Sequence, residues 1–164
     1  MVAWQRLPLM TVLSAAAPAL TLGHAVGRIG CFLVGDDYGR PTTLPWGIAF
    51  PDGLPPTTDR VHPTQLYESF ALFALTGILV SLRRRGATDR AVFGAYLVAA
   101  GSLRFLIELV RVNVVVALGM TTAQLFSVGL VALGACLLAT RRPGPEPSAG
   151  RGKPSLRGSH RRKR

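Results

Sequence analysis

Charge is sparse in this chain, and most of it sits at one end. Only 16% of the 164 residues are charged, and eight acidic residues face 19 Lys and Arg. Nine of those bases, with Glu146 as the single acid, fall in the last 24 residues. The first 140 therefore hold ten bases and seven acids and are close to neutral. The formal charge of +11 is mostly a property of the tail. A nucleic-acid reader carries its basic patch on a folded face; a near-neutral apolar body has none, and no nucleic acid is expected as a partner. Cysteine is scarcer still. Cys31 and Cys136 lie far apart without metal-ligand spacing, so no metal is expected, and no cofactor. Cys136 reads as a small apolar residue facing lipid or a neighbouring helix.

Polar residues are nearly missing from whole stretches, such as 71–82 and 125–139. A soluble helical bundle needs a polar face on each helix, so that architecture is excluded. Four segments, 7–26, 64–82, 91–110 and 121–140, are long enough to cross a bilayer, which takes about 20 helical residues. The expected fold is all-α: a polytopic membrane protein with four transmembrane helices over 1–140, an irregular outer loop, and a basic, disordered cytoplasmic tail over 141–164. That polybasic tail is drawn to anionic membrane lipids. Arg6, Arg83, Arg84, Arg85, Arg90, Arg141 and Arg142 mark the cytoplasmic side. Both termini then lie inside, and the loops 27–63 and 111–120 face outward. Arg6, the apolar run and Ala15-Ala16-Ala17 also fit a signal peptide, an alternative fate for the first segment. Gly23 and Gly27 form a small-xxx-small pair that invites close approach of another helix, in a second copy or a different subunit.

The densest chemistry lies in 24–40, HAVGRIGCFLVGDDYGR. Gly27, Gly30, Gly35 and Gly39 make the backbone permissive, and Arg28 and Arg40 offer planar forks that match phosphate or carboxylate. Asp36 and Asp37 lie among them. The pattern points to an anion site at the membrane boundary. His24, one turn before Arg28, reads as an interfacial hydrogen-bonding residue. Residues 41–63 carry six prolines, so no regular element is expected there. Trp46 and Phe50 suit the headgroup layer. Pro63 opens the second helix, where Gln65 and Glu68 share a face turned to protein or water. Gly101, Arg104, Glu108 and Arg111 form one stripe of the third helix. Arg104 lies roughly 20 Å along that helix, where an unpaired arginine costs about 3 kcal/mol or more, so Glu108 is its expected partner. Thr121-x-x-Gln124 is a capping box.

Together these blocks resemble the prolipoprotein diacylglyceryl transferases of the bacterial plasma membrane. The likeness rests on Gly27-Arg28-Ile29-Gly30-x-Phe32, Gly35, Gly39-Arg40-Pro41-Thr42, Pro45-Trp46-Gly47, His62-Pro63-Thr64-Gln65-Leu66-Tyr67-Glu68, and Arg104-Phe105 with Glu108 and Arg111. It covers about residues 22–135. The resemblance implies transfer of a diacylglyceryl group from phosphatidylglycerol to a cysteine thiol of a prolipoprotein signal peptide, with glycerol phosphate leaving. It implies that Arg28 binds the lipid phosphate and that Arg104 is a second essential arginine. The expected catalytic set is Arg28, Arg104, Asp36, Glu108 and His62. The expected substrate-binding set is Arg28, Gly30, Cys31, Gly39, Arg40, Gln65, Tyr67, Glu68 and Arg111. Asp36, Glu68 and His62 are the candidates for the base. Members usually have seven crossings, and this chain resembles the last four; the His-Gly-Gly segment among the family's functional residues has no counterpart, since His24 and His62 do not match it. Cys31 stands for a motif asparagine, Asp36 for a glutamate and Val34 for another asparagine. The alternative is a non-catalytic phospholipid-binding relative or an assembly subunit.

Overall fold

A computed structural model describes residues 8–111, 115–117 and 119–140. Arg6 and the basic tail lie outside the described residues. In chain order the elements are α1 (Leu9–Val34), β1 (Ile48–Phe50), β2 (Thr57–Val61), α2 (Thr64–Arg84), α3 (Asp89–Val110), β3 (Val115–Ala117), β4 (Met120–Thr121) and α4 (Thr122–Ala139). All four helices are long and apolar enough to cross a membrane. They turn large apolar side chains outward, among them Leu33, Phe70 and Phe126, as a lipid solvent permits.

The helix ends alternate. At one end Arg83 Nη1 donates to Ser14 Oγ at 2.7 Å, and Ser14 and Thr11 donate to the Asp89 carboxylate at 2.5 and 2.6 Å. Arg90 Nη2 donates to Thr140 Oγ1 at 2.7 Å. These bonds tie the start of α1, the end of α2, the start of α3 and the end of α4 together. The opposite end therefore holds the end of α1, the start of α2 and the end of α3. A small apolar cluster of Ala17, Leu75, Leu79 and Val92 joins α1, α2 and α3.

α1 runs well past the expected end at residue 26, so Gly27, Arg28, Gly30 and Cys31 are helical rather than part of a loop. A helix-interior glycine costs only about 1 kcal/mol, and Ile29, Phe32 and Leu33 continue the apolar pattern. At 1.5 Å per residue α1 is about 39 Å long, longer than the roughly 30 Å hydrocarbon core, which carries the arginine toward the boundary. The stop is Gly35, in the left-handed region at φ 75°, whose N–H bonds Cys31 O at 2.9 Å. A Cβ there would meet Gly53 Cα at 2.9 Å, because the β1–β2 loop packs on this cap.

The proline-rich arm does contain regular structure, against expectation. β1 and β2 pair antiparallel, Ile48 opposite Val61 and Phe50 opposite Thr57. Pro45, Pro51, Pro55, Pro56 and Pro63 all fall just outside the two strands, where no ladder N–H is needed. Arg60 braces the arm by donating to Pro45 O at 2.6 Å and Gly47 O at 3.0 Å. The capping box of α4 forms as expected, Gln124 N to Thr121 Oγ1 at 3.3 Å and Thr121 N to Gln124 Oε1 at 3.0 Å.

Close helix approach occurs at glycines other than the expected pair. A Cβ at Gly134 would lie 2.8 Å from Gly94 O, and one at Gly101 2.9 Å from Ser127 O, so α3 and α4 touch backbone to backbone. At Gly23 and Gly27 a Cβ would meet nothing within 4 Å among the described residues. Gly134→Val should therefore lower the unfolding midpoint in detergent, by an amount corresponding to about 1–3 kcal/mol of overpacking. Gly23→Ala should be neutral or stabilise by up to about 1 kcal/mol. Equal melting of the two variants would contradict this packing.

Candidate anion-binding site

At the end shared by α1, α2 and α3, Arg28 is held on both sides. Its Nε lies 2.6 Å from Glu68 Oε2, and its Nη1 lies 2.8 Å from Asp37 Oδ2. Glu68 is 2% exposed. A buried carboxylate is costly without a counter-charge, so Glu68 and Arg28 fix each other. Asp37 presents its second oxygen, Oδ1, to Nη2 of Arg111 at the end of α3. One carboxylate thus bridges two guanidiniums from two different helices. Arg104 Nη2 pairs with Glu108 Oε2 at 2.9 Å, as the spacing predicts. The direct link from Arg28 to α3 runs through Arg111, while Arg104 lies two turns further in. Arg104 Nη1 is buried and makes no hydrogen bond among the described residues.

The backbone around Asp37 is built for this placement. Asp37 adopts φ 59°, a left-handed conformation that Asp and Asn tolerate better than other side chains. Thr64 Oγ1 donates to its carbonyl at 2.8 Å. The amide of Gln65, a fully buried side chain, donates to Asp36 O. Gly39 then passes where no side chain fits: a Cβ would lie 2.7 Å from Val110 O and 2.8 Å from Thr64 Cγ2. Arg40 continues the tie to α3, its N–H bonding Val110 O at 2.9 Å and its Nε donating to Arg111 O at 3.3 Å.

Among the expected site residues, Arg28, Glu68, Arg111, Arg40, Gln65 and Gly39 converge here. Cys31 lies beside them, its sulfur 4.0 Å from Arg28 Nη1. An Asp36 carboxylate oxygen lies within 4.8 Å of the Cys31 sulfur. His62 and Tyr67 belong to a neighbouring group: Trp46 Nε1 donates to the Tyr67 hydroxyl at 2.8 Å, and His62 Nδ1 lies 3.3 Å from that oxygen. Gly30 shows no steric demand, since a Cβ there meets nothing within 4 Å. Asp37 is the residue that sequence reasoning passed over. The signal was its proximity to Arg28 in the glycine-rich stretch, but a one-residue shift in register decides which aspartate faces the arginines. Cys31, Asp36 and Asp37 offer potential metal ligands within 4.8 Å of one another. Arg28 already stands as the cation on Asp37, which disfavours a second positive charge there.

Burial by itself would push the Asp37 carboxyl up. The hydrogen bond to Arg28 and the charge and hydrogen bond of Arg111 outweigh it and hold the group below the ordinary carboxylate range. A carboxylate depressed in the folded state contributes stability that is present above its unfolded value and lost as pH falls through its folded value.

Four apolar helices with a cluster of arginines and carboxylates at one end define a membrane protein with a charged cluster at a helix end. The chain belongs to the prolipoprotein diacylglyceryl transferase family, whose model matches residues 1–140. It is similar to phosphatidylglycerol–prolipoprotein diacylglyceryl transferases of Solidesulfovibrio magneticus (39% identity, 77% of this chain, 50% of the relative) and Bordetella parapertussis (39%, 85% and 55%). A third such relative, from Cereibacter sphaeroides, is 42% identical over 64% of this chain and 38% of its own length. The chain spans about half the length of the curated relatives it matches.

Arg28→Ala should strip Glu68 of its cation and cost about 3–5 kcal/mol. Arg28→Ala combined with Glu68→Gln should recover much of that loss, as read from unfolding midpoints in detergent. Asp37→Asn should destabilise at neutral pH, and its difference from wild type should vanish as pH falls below the ordinary carboxylate range. A difference that persists in strong acid would show that Asp37 does not act through its charge.

Proposed function

We propose that this chain transfers a diacylglyceryl group from phosphatidylglycerol to the thiol of a prolipoprotein cysteine. The observation that carries the reading is the bridged arginine pair, two guanidiniums from separate helices already gripping one oxyanion at a helix end. In the reaction, the thiol sulfur attacks the glyceryl carbon that carries the phosphate. A C–S bond forms, the C–O bond breaks, the thiol proton leaves to a base, and glycerol phosphate departs. Negative charge grows on the departing phosphate, and preorganised guanidiniums stabilise that growth more than they stabilise the ground state. Arg28 and Arg111 supply the grip, and Arg104, whose Nη1 makes no hydrogen bond among the described residues, supplies a third positive group on α3. A thiol of pKa about 8.5 needs a base. Glu68 is committed to Arg28, which leaves Asp36, beside the Cys31 position, and His62 as the candidates.

The membrane orientation follows the same logic. Arg83, Arg84, Arg85 and Arg90 lie at the end opposite the arginine pair, and loops rich in arginine stay in the cytoplasm. The site then opens on the outer face of the plasma membrane, where a translocated precursor presents its cysteine, and both termini lie inside. Assembly with a second copy or another subunit through the open Gly23–Gly27 face belongs to the same reading.

The purified chain, reconstituted with acyl-labelled phosphatidylglycerol and a lipobox peptide, is expected to place label on the peptide cysteine as a thioether. Arg28→Lys keeps the charge but loses the fork, and the rate should fall at least about tenfold. Wild type that binds the lipid and never yields a thioether would overturn the enzymatic reading in favour of a lipid-binding one.

A further inference from the structure

Asp37 has features that a permanent structural ion pair does not need. Its side chain is 44% exposed, while those of Arg28 and Arg111 are 12% and 10% exposed. The arginines are the enclosed members of the pairs and the aspartate is the exposed one. Arg28 keeps its position without Asp37, because Glu68 grips its Nε at 2.6 Å. Arg111 is anchored through its backbone, its N–H on Glu108 O at 3.3 Å and its carbonyl accepting from Arg40. The Asp37 backbone is pinned by Thr64, so the carboxylate can leave by side-chain rotation alone. Its two oxygens, one on each guanidinium, stand where the two non-bridging oxygens of a phosphodiester would bind.

Charge arithmetic gives that exchange a direction. Arg28, Arg111, Glu68 and Asp37 sum to zero. A phosphodiester carries one negative charge, so replacing Asp37 by a lipid phosphate keeps the cluster neutral. The leaving group is a phosphate monoester, whose second ionisation lies near pKa 6, so at neutral pH it approaches two negative charges. Two guanidiniums would hold that product more tightly than the substrate. We propose that Asp37 is a displaceable counter-ion of the Arg28–Arg111 site, yielding both guanidiniums to the lipid phosphodiester and, on its return, expelling the phosphate monoester product. This rests on the proposed transferase reading and adds a product-release element to it: the returning carboxylate offsets the tighter grip on the doubly charged product. Asp37 acts through the two arginines and is a positioning residue.

The test uses the full chain in a phosphorus-free detergent, with glycerol phosphate as the probe and calorimetry as the readout. Asp37→Asn and Asp37→Gly both suit a positive φ and remove the charge. Both should bind glycerol phosphate about tenfold more tightly than wild type, the scale of a lost charge-assisted hydrogen bond, and Asp37→Glu should return affinity toward wild type. In transfer assays Asp37→Asn should lower KM and kcat together and deepen inhibition by added glycerol phosphate. A merely structural aspartate would leave that inhibition unchanged. Unchanged or weaker glycerol phosphate binding in both Asp37→Asn and Asp37→Gly overturns the counter-ion while leaving the anion site intact, provided that wild-type binding still falls in Arg28→Lys. Wild-type binding indifferent to Arg28→Lys overturns the anion site, and the counter-ion with it.

Discussion

The ion pair between Arg28 and Glu68 is the constraint on which this end of the molecule depends. Glu68 is almost wholly enclosed, and an isolated carboxylate there would be costly in protein or lipid. The pairing therefore locks α1 to α2 at one rotation and one depth. With Arg28 fixed, its remaining Nη1 points to the loop that follows α1, and Asp37 carries the connection to Arg111 on α3. Three helices meet through four charges, and the meeting point is the candidate site for the proposed lipid phosphate.

The rest of the architecture holds that meeting point still. Gly35 ends α1 abruptly and lets the β1–β2 loop pack on its cap. Gly39 lets the next strand of chain pass between His62, Thr64 and the end of α3. The arm is braced by Arg60, and α3 is seated on α4 by backbone contact at Gly94, Gly101 and Gly134. Apart from Gly39, which lies against the end of α3 at the site, these devices act from a distance. A substitution at these glycines therefore acts on function through geometry rather than through chemistry.

Much of this was legible beforehand, for identifiable reasons. Helix spans follow from apolar length, and the Arg104–Glu108 pair and the Thr121 cap follow from local spacing. Family membership was readable from the ordered blocks between Gly27 and Arg111. Features that depend on tertiary register were not legible. The continuation of α1 to Val34 was hidden by glycines, which signal loops in water but are tolerated in an apolar helix. The hairpin at 48–61 was hidden by prolines that turned out to flank the strands. The choice of Asp37 over Asp36 depends on a left-handed turn after Gly35, which no spacing rule sets. The partner of Arg28 on α3 is Arg111 rather than Arg104 for a similar reason: the loop reaches the helix end, not its interior.

The most direct measurement is the internuclear distance between the phosphorus of bound phosphatidylglycerol and the guanidinium nitrogens of the chain, read by 31P–15N dipolar recoupling in reconstituted membranes. Arg28→Lys and Arg111→Lys serve to assign the two contributions. The account predicts that both guanidiniums lie about 4 Å from one phosphorus, as paired N–H to phosphate-oxygen bonds require, so each substitution removes part of the dephasing. Dephasing that depends on one arginine alone, or on neither, would contradict a phosphate held jointly by α1 and α3.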